Sequence, residues 1–453
     1  MELFGTAGIR GDVVERVTPD LALRVGRAAG RDGEAFVVGH DGRTSSPALA
    51  DAVAAGLQSA GVTVTRVGSV PTPALAHASR GRRGVMLTAS HNPPADNGIK
   101  LFVDGREYDR EAERTIEERV ERDGPAAEWR SWGTSERAET LPTYHATVTD
   151  YARGHGASPD DLTVAVDCGN GMAGVATPQV LRSLGADVRT TEANVDGFFP
   201  ARESKPTAET LSTFRRFVAS TGVDVGIGHD GDADRIVVVD GDGSVVHEDT
   251  VLAMLAEHYV RASDAADPVV VTTPNASGRI DERVAAADGR VERVRLGALH
   301  EGVARERAAG GEGTAVVFAA EPWKHIHPAL GGWIDGVASA AVLTRLFAAE
   351  SLADRRAAVT ERPYRKESVE CPDDRKAAAM DRVAATLPDR FPEATVATEY
   401  GVRLSFPDDA WTLVRPSGTE PYVRIYAESD DVDDLIAAVR QVVREAVEGS
   451  VTA

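Results

Sequence analysis

Three stretches of this chain repeat one order of apolar and polar positions. Each has a short β-branched run, a Gly-rich turn, a helix-period segment and a returning apolar run. In the first, Phe36–Gly39 leads into the loop His40–Pro47 and an Ala-rich helix to about Ser59, with runs at Val62–Val67 and Val85–Thr88 following. The second starts at Leu162–Val166, turns at Asp167–Gly174, runs a helix near Thr177–Leu184 and returns at Asp187–Thr190. The third starts at Pro268–Thr272, turns at Pro274–Gly278, runs a helix near Ile280–Ala287 and returns at Val291–Val294. Strand, turn, helix, strand is the βαβ unit of mostly parallel sheets. The three do not align by identity, so the repeat is one of architecture. Polar stretches at Thr134–Thr149, Gly241–Asp249 and Glu350–Ala358 read as linkers. Beyond them the pattern changes. A helix is expected near Arg375–Leu387, then alternating segments at Val402–Phe406, Trp411–Arg415 and Tyr422–Ala427, then a helix near Val432–Val447. The fold expected is three α/β domains, residues 1–149, 150–246 and 247–358, and one α+β domain, 359–453, with an antiparallel sheet.

Composition narrows the partners. The 453 residues carry a formal charge of −21, from 71 Asp and Glu against 50 Lys and Arg. A nucleic-acid partner is not expected, because phosphate backbones are held by clusters of Lys and Arg and no basic stripe appears. The two cysteines, Cys168 and Cys371, exclude a disulfide framework and a CxxC metal site. No apolar stretch reaches the ~18 residues of a membrane span, and the start lacks a signal-peptide pattern. A cytoplasmic protein is expected. Lysine is scarce: Lys100, Lys205, Lys324, Lys366 and Lys376 are the only five. A Lys kept where Arg otherwise prevails marks a position that needs lysine chemistry.

Four local strings carry candidate chemistry. Thr88-Ala89-Ser90-His91-Asn92-Pro93-Pro94 places a hydroxyl just past a strand end on a Pro-stiffened turn, suited to a nucleophile or phosphate carrier. It also suits an ordinary turn. Lys100 lies where this loop continues. His229-Asp230-Gly231-Asp232-Ala233-Asp234-Arg235 sits between the apolar runs Val223–Ile227 and Ile236–Val239, a strand–loop–strand pattern. Its three alternating carboxylates can converge on one hard cation, with Mg²⁺ the natural choice; a solvated acidic turn is the competing reading. An EF-hand loop fails, because Arg235 stands where its Gly is needed and Gly241 where its Glu is needed. Arg415-Pro416-Ser417-Gly418-Thr419-Glu420-Pro421 offers a guanidinium fork and a backbone nest for a dianion, or a plain hairpin turn. Phe4-Gly5-Thr6-Ala7-Gly8-Ile9-Arg10-Gly11 is Gly-rich without a dinucleotide spacing.

In this order, the four strings resemble the α-D-phosphohexomutase family of phosphoglucomutases, phosphomannomutases and phosphoglucosamine mutases, across essentially the whole chain. Pro71-Thr72-Pro73, Asp167–Gly171 and Asp335-Gly336 add to the likeness, and the opening is most like the archaeal phosphoglucosamine mutase branch. The resemblance implies a heart-shaped chain of four domains around a central cleft. It implies Ser90 as the phosphoserine and one Mg²⁺ held by Asp230, Asp232, Asp234 and a phosphoserine oxygen. Arg10, His91, Lys100 and Arg235 would line the reacting phosphate, with Lys100, its pKa lowered, a candidate acid/base. Arg415, Ser417, Gly418 and Thr419 would grip the non-reacting phosphate. The family's sugar-reading loop, Gly-Glu-x-Ser-Gly-His, reads Ala320-Glu321-Pro322-Trp323-Lys324-His325 here. Glu321, Lys324 and His325 become candidate sugar contacts, and the small Ser-Gly pair is lost.

The function expected is a phosphosugar mutase exchanging sugar 1- and 6-phosphates through a bisphosphate that also serves as activator. A hexose such as glucosamine, glucose or mannose is the substrate expected. Two alternatives remain open: a phosphopentomutase, with Trp323 narrowing the site, and a non-catalytic sugar-phosphate binder. The sequence assigns no oligomeric state.

Overall fold

The computed structural model describes residues 3–5, 8–418 and 420–449. Among them lie four sheets. The first runs, in spatial order, Ile9–Asp12, Asp96–Val103, Arg83–Leu87, Ala35–His40, Thr63–Ser69 and Ser135–Arg137, with the short strand Arg106–Glu107 on Asp96–Val103. Its βαβ strands are parallel, whereas Asp96–Val103 returns antiparallel to Arg83–Leu87. The second orders Ile236–Asp240, Val225–His229, Thr163–Asp167 and Asp187–Thr191. The third orders Arg290–Arg293, Asp267–Thr272, Thr314–Glu321 and Lys324–Ile326. Each of these three is mixed, a parallel set ending in an antiparallel strand. The fourth is wholly antiparallel: Tyr364–Glu370, Tyr422–Glu428, Trp411–Pro416, Val402–Ser405 and Thr395–Ala397.

The expected α/β and α+β architecture is therefore present, and the differences are local. The segment Asp96–Lys100, read as loop, is strand, because Asn97, Ile99 and Leu101 bury as a hairpin partner of Arg83–Leu87. The stretches read as linkers carry elements of their own. Ser135–Arg137 is an edge strand, Leu141–Arg153 a helix, Glu248–Arg261 a helix that starts inside the second polar stretch, and Leu352–Ala357 a short helix. Tyr144, Val148 and Ala152 give the Leu141–Arg153 helix a buried face at helical spacing, which the polar residues between them obscure.

One continuous apolar core joins the first three sheets. It includes Leu75 and Phe102, Val166 and Ile227, and Phe318 and Val337. The fourth sheet has its own core around Val414, Ile425 and Val439. It docks on the third through Arg279 and Glu428, an ion pair at 2.8 Å with both side chains 1% exposed. No helix among the described residues is long and apolar enough to cross a membrane.

Candidate active site

Ser90 lies just past the end of the strand Arg83–Leu87, fully buried, with φ +52°. That left-handed backbone is uncommon for a residue with a Cβ, so its surroundings must impose it. They do so through one chain of contacts. The Ser90 N–H donates to Thr88 Oγ1 at 2.9 Å, and Thr88 donates to Asp41 at 2.7 Å. Asp41 pairs with Arg43, whose guanidinium donates to the carbonyls of Ser90, Asn92, Pro93 and Asp96. Arg43, 1% exposed, thus holds the whole loop from beneath. Sequence reasoning passed over Asp41 and Arg43; their only signal was a charged pair inside the first Gly-rich turn.

The second string is the turn of the hairpin Val225–His229 and Ile236–Asp240. It brings carboxylate oxygens of Asp230, Asp232 and Asp234 within 4.8 Å of one another, all buried. Ser90 Oγ donates to Asp230 at 2.6 Å. Thr72 donates to Asp232 at 2.6 Å, giving the Pro71-Thr72-Pro73 string a physical role. Gly231 is obligatory here, because a Cβ would stand 2.6 Å from the Ser90 carbonyl oxygen. Asp232 Oδ1 and Asp234 Oδ1 are buried with no hydrogen-bond partner. Two bare carboxylate oxygens in a buried triad cost free energy unless a cation meets them, and an all-oxygen donor set suits a hard divalent ion. Burial, then the charges of Asp234 and Asp232, push the Asp230 pKa well up.

Cations ring this triad. Lys100, paired across the hairpin with Met86, sets its ammonium 3.1 Å from Asp234, 3.8 Å from Asp232 and 3.6 Å from Glu107. Burial pulls its pKa down, but those carboxylates more than reverse this and hold it above the ordinary lysine value. Lys100 thus stands as a positive charge whose partners include two of the triad's carboxylates. Arg235 Nε lies 3.6 Å from Asp230 and 3.7 Å from Asp234. Arg10 comes from the strand Ile9–Asp12, opposite Gly98. The Nε atoms of Arg10 and Arg235 and the Nδ1 of His91 are buried without hydrogen-bond partners. Burial, then Arg235 and Arg10, push the His91 pKa down to about 2. A neutral imidazole among unpartnered guanidinium donors is a niche prepared for an anion.

The Arg415 string spans the end of Trp411–Pro416 and the start of Tyr422–Glu428. Arg415 donates to the Tyr426 hydroxyl at 3.0 Å and leaves its Nε unpartnered. Ser417 is buried, and Lys376 clamps the turn by donating to the carbonyls of Ser417 and Glu420, each at 2.6 Å. Gly418 reaches a cavity of about 500 Å³ whose wall includes Gly5, Glu107, Gly297 and His300. This cavity connects the anion loop to Glu107 beside Lys100. Thr419, like Thr6 and Ala7, lies outside the described residues.

With this geometry in place, the comparisons with known proteins bear on it. Residues 1–126 and 143–243 match the phosphoglucomutase/phosphomannomutase alpha/beta/alpha domains I and II, and residues 368–446 match the C-terminal domain. The chain belongs to the phosphoglucomutase/phosphomannomutase family. It is 40% identical to a phosphopentomutase from Thermococcus kodakarensis, over 98% of this chain and 99% of that one. It is 39% identical to a probable phosphoglucosamine mutase from Methanopyrus kandleri, over 98% of each. Among solved structures, a phosphoglucomutase/phosphomannomutase family protein from Burkholderia thailandensis superposes with a TM-score of 0.84 at 25% identity, covering 98% of this chain and 97% of that one. The chain is a phosphosugar mutase.

The loop in which it departs from the family pattern behaves differently from expectation. Glu321 and Lys324 pair across their two strands and form an ion pair at 3.2 Å. The Lys324 charge is felt at His91, Asp234 and Glu107, so this face of the strand looks on the site. Successive strand residues point to opposite faces. His325 accordingly turns away into the core, 1% exposed, with Nδ1 3.0 Å from Ser339 Oγ and its ring against Phe318. Its Nε2 stays buried without a hydrogen-bond partner. Trp323 does not narrow the cleft either. With φ +70°, it packs against the second sheet's cluster of Leu211, Phe214 and Val218, while its carbonyl accepts from the Ile236 N–H at 3.1 Å.

Proposed function

We propose that this mutase interconverts sugar 1- and 6-phosphates through a phosphorylated Ser90 and a bisphosphorylated sugar. The observation that carries this reading is Ser90 Oγ, 2.6 Å from Asp230 in a triad with two bare oxygens. Asp230, Asp232 and Asp234 would hold Mg²⁺, whose charge would draw electron density from the transferring phosphoryl oxygens. Arg10 and Arg235 supply unpartnered donors to those oxygens, and the Lys100 ammonium lies beside them. The phosphoryl transition state is loose, so little base strength is needed early. The hydroxyl proton then passes to a nearby base, for which Lys100 is the candidate once a cation on the triad takes up the charge of Asp232 and Asp234. Arg415, Ser417, Gly418 and, by the family pattern, Thr419 would hold the non-reacting phosphate, and Gly418 lines the cavity. Glu321 and Lys324 stand along the sugar between the two. The parts fall on the four units 1–149, 150–246, 247–358 and 359–453, and turnover requires the bisphosphate to turn end over end among them before returning its other phosphate to Ser90.

Ser90→Ala tests the reading. Turnover should fall below detection with the circular dichroism spectrum unchanged, and wild-type turnover in that variant would refute it.

A second reading, a pentose 1-/5-phosphate, has an observation in its favour. Glu321 is held by Lys324 rather than left free to accept sugar hydroxyls, which weakens the discrimination a hexose would need. The identity to the Thermococcus kodakarensis phosphopentomutase supports it as well. Rates on glucosamine, glucose, mannose and ribose 1-phosphates, with a bisphosphate activator present, separate the two.

A further inference from the structure

Between the strand Asp187–Thr191 and the helix Ser212–Thr221 the chain forms no regular element. Loops of this length inside a compact chain commonly serve a site. Residues 194–204 of this loop are strapped to the second sheet at two points. Asn170 makes the first. Its carbonyl accepts from the Asp196 N–H at 2.9 Å, its Oδ1 accepts from the Ala201 N–H at 3.2 Å, and its Nδ2 donates to the Asn194 carbonyl at 3.2 Å. Arg202 makes the second. Its guanidinium donates to Asp167 at 2.8 Å and to the carbonyl of His229, the residue before Asp230, at 2.6 Å.

The same loop reaches the first sheet. Gly197 presses on the turn that carries Arg43: a Cβ there would stand 2.6 Å from the Gly42 carbonyl oxygen and 2.6 Å from the Thr44 nitrogen. Ser204 donates to the Asn92 carbonyl at 3.0 Å. Between these two contacts Phe199 turns inwards and is buried, with φ +50°. A left-handed aromatic residue costs free energy, so its surroundings must hold it there. On one side of its ring the Arg43 guanidinium, which carries the phosphoserine loop, lies 5.0 Å from the centroid. On the other side the ring meets Gly231, between Asp230 and Asp232, where a Cβ would stand 3.2 Å from Phe199 Cζ.

We infer that Phe199 is a positioning residue for phosphoryl transfer: wedged between Arg43 and Gly231, it sets Ser90 against the carboxylate triad. The inference rests on the proposed role of Ser90 and adds a residue that acts through Arg43 and Gly231. Ser90 follows a strand of the first sheet and Asp230 a strand of the second, so their 2.6 Å contact needs a link between the two loops. Thr72 on Asp232 supplies one part of it. The Phe199 ring supplies another, being stiff and offering its face to a buried guanidinium. Removing the ring opens a void against both loops at once. A misplacement of about 1 Å between reacting groups costs on the order of a hundredfold in rate. Arg415 and Ser417 belong to the fourth sheet and keep their places, so the sugar phosphate should still bind.

The test compares full-length wild type, Phe199→Leu and Phe199→Ala by steady-state turnover on glucosamine 1-phosphate and ribose 1-phosphate and by amide hydrogen exchange. On whichever sugar the wild type uses, Phe199→Ala should lower kcat at least about tenfold with KM within about twofold. Exchange across residues 88–96 should rise about tenfold, while the strand Thr163–Asp167 keeps its protection. Phe199→Leu, which keeps most of the bulk, should recover kcat to within about threefold of wild type. If Phe199→Ala does not fold, Phe199→Val is read by the same criteria. A kcat within about twofold of wild type in the smaller variant would overturn the inference. So would a loss of kcat with exchange across residues 88–96 unchanged, or exchange rising equally in Thr163–Asp167, the mark of a purely structural role. Absence of turnover in the wild type on both sugars would overturn the mutase reading instead, and the exchange pattern then decides the role of Phe199 by itself.

Discussion

The type of a single side chain can be legible where its direction is not, and His325 is the example. Its string matched a sugar-reading loop, yet strand alternation sends Lys324 to the cleft and His325 to Ser339 in the core. Type and spacing are local and legible; the face of a strand follows from its pairing, which a string does not state. Arg43 was illegible for a related reason. Its four carbonyl acceptors lie some fifty residues away in sequence. The buried histidines make a measurable prediction. Burial pushes the His325 pKa down to about 3, and burial, then Arg80, push that of His77 down to about 4. In the unfolded chain both return towards 6.5, so between these values the unfolded state binds more protons. Stability is then full above about pH 6.5 and falls as the pH drops towards 4. At pH 5 each such histidine costs about 2 kcal/mol. The midpoint of urea unfolding should fall between pH 7 and pH 5, and His325→Phe should reduce that fall. An unchanged pH dependence in the variant would contradict the assignment.

At the scale of elements, what the sequence made plain was whatever a short segment could build alone. The hairpin that carries Asp230, Asp232 and Asp234 is one continuous piece, flanked by apolar runs that pair as antiparallel strands. The Asp96–Val103 strand and the Leu141–Arg153 helix were hidden because their apolar positions make sense only against partners elsewhere. Trp323 belongs here too. It belongs to the turn joining two strands of the third sheet, while its ring is spent on packing against the second. Trp323→Ala should therefore lower the melting temperature by several degrees while leaving KM within about twofold. A large change in KM or in preference between ribose and glucosamine 1-phosphates, at unchanged stability, would return this side chain to the sugar site.

For the whole molecule, a net charge of −21 and a doubly anionic ligand are compatible because the cations are gathered. Arg10, Lys100, Arg235 and Lys324 surround the carboxylate triad, while Lys366 and Arg415 lie over the Tyr426 ring. Lys376 ties down the anion loop. The scarcity of lysine was visible in the sequence; that Lys100 and Lys324 both meet the carboxylate triad needed the fold. The most direct test of Ser90 as phosphoryl carrier is a pulse and chase with glucose 1,6-bisphosphate labelled in both phosphates. Wild-type enzyme should take up one labelled phosphate, found by mass spectrometry on the peptide containing Ser90. Unlabelled sugar 1-phosphate should then discharge it into sugar. Turnover with Ser90 unlabelled, or a label on Ser90 that substrate cannot remove, would contradict the account.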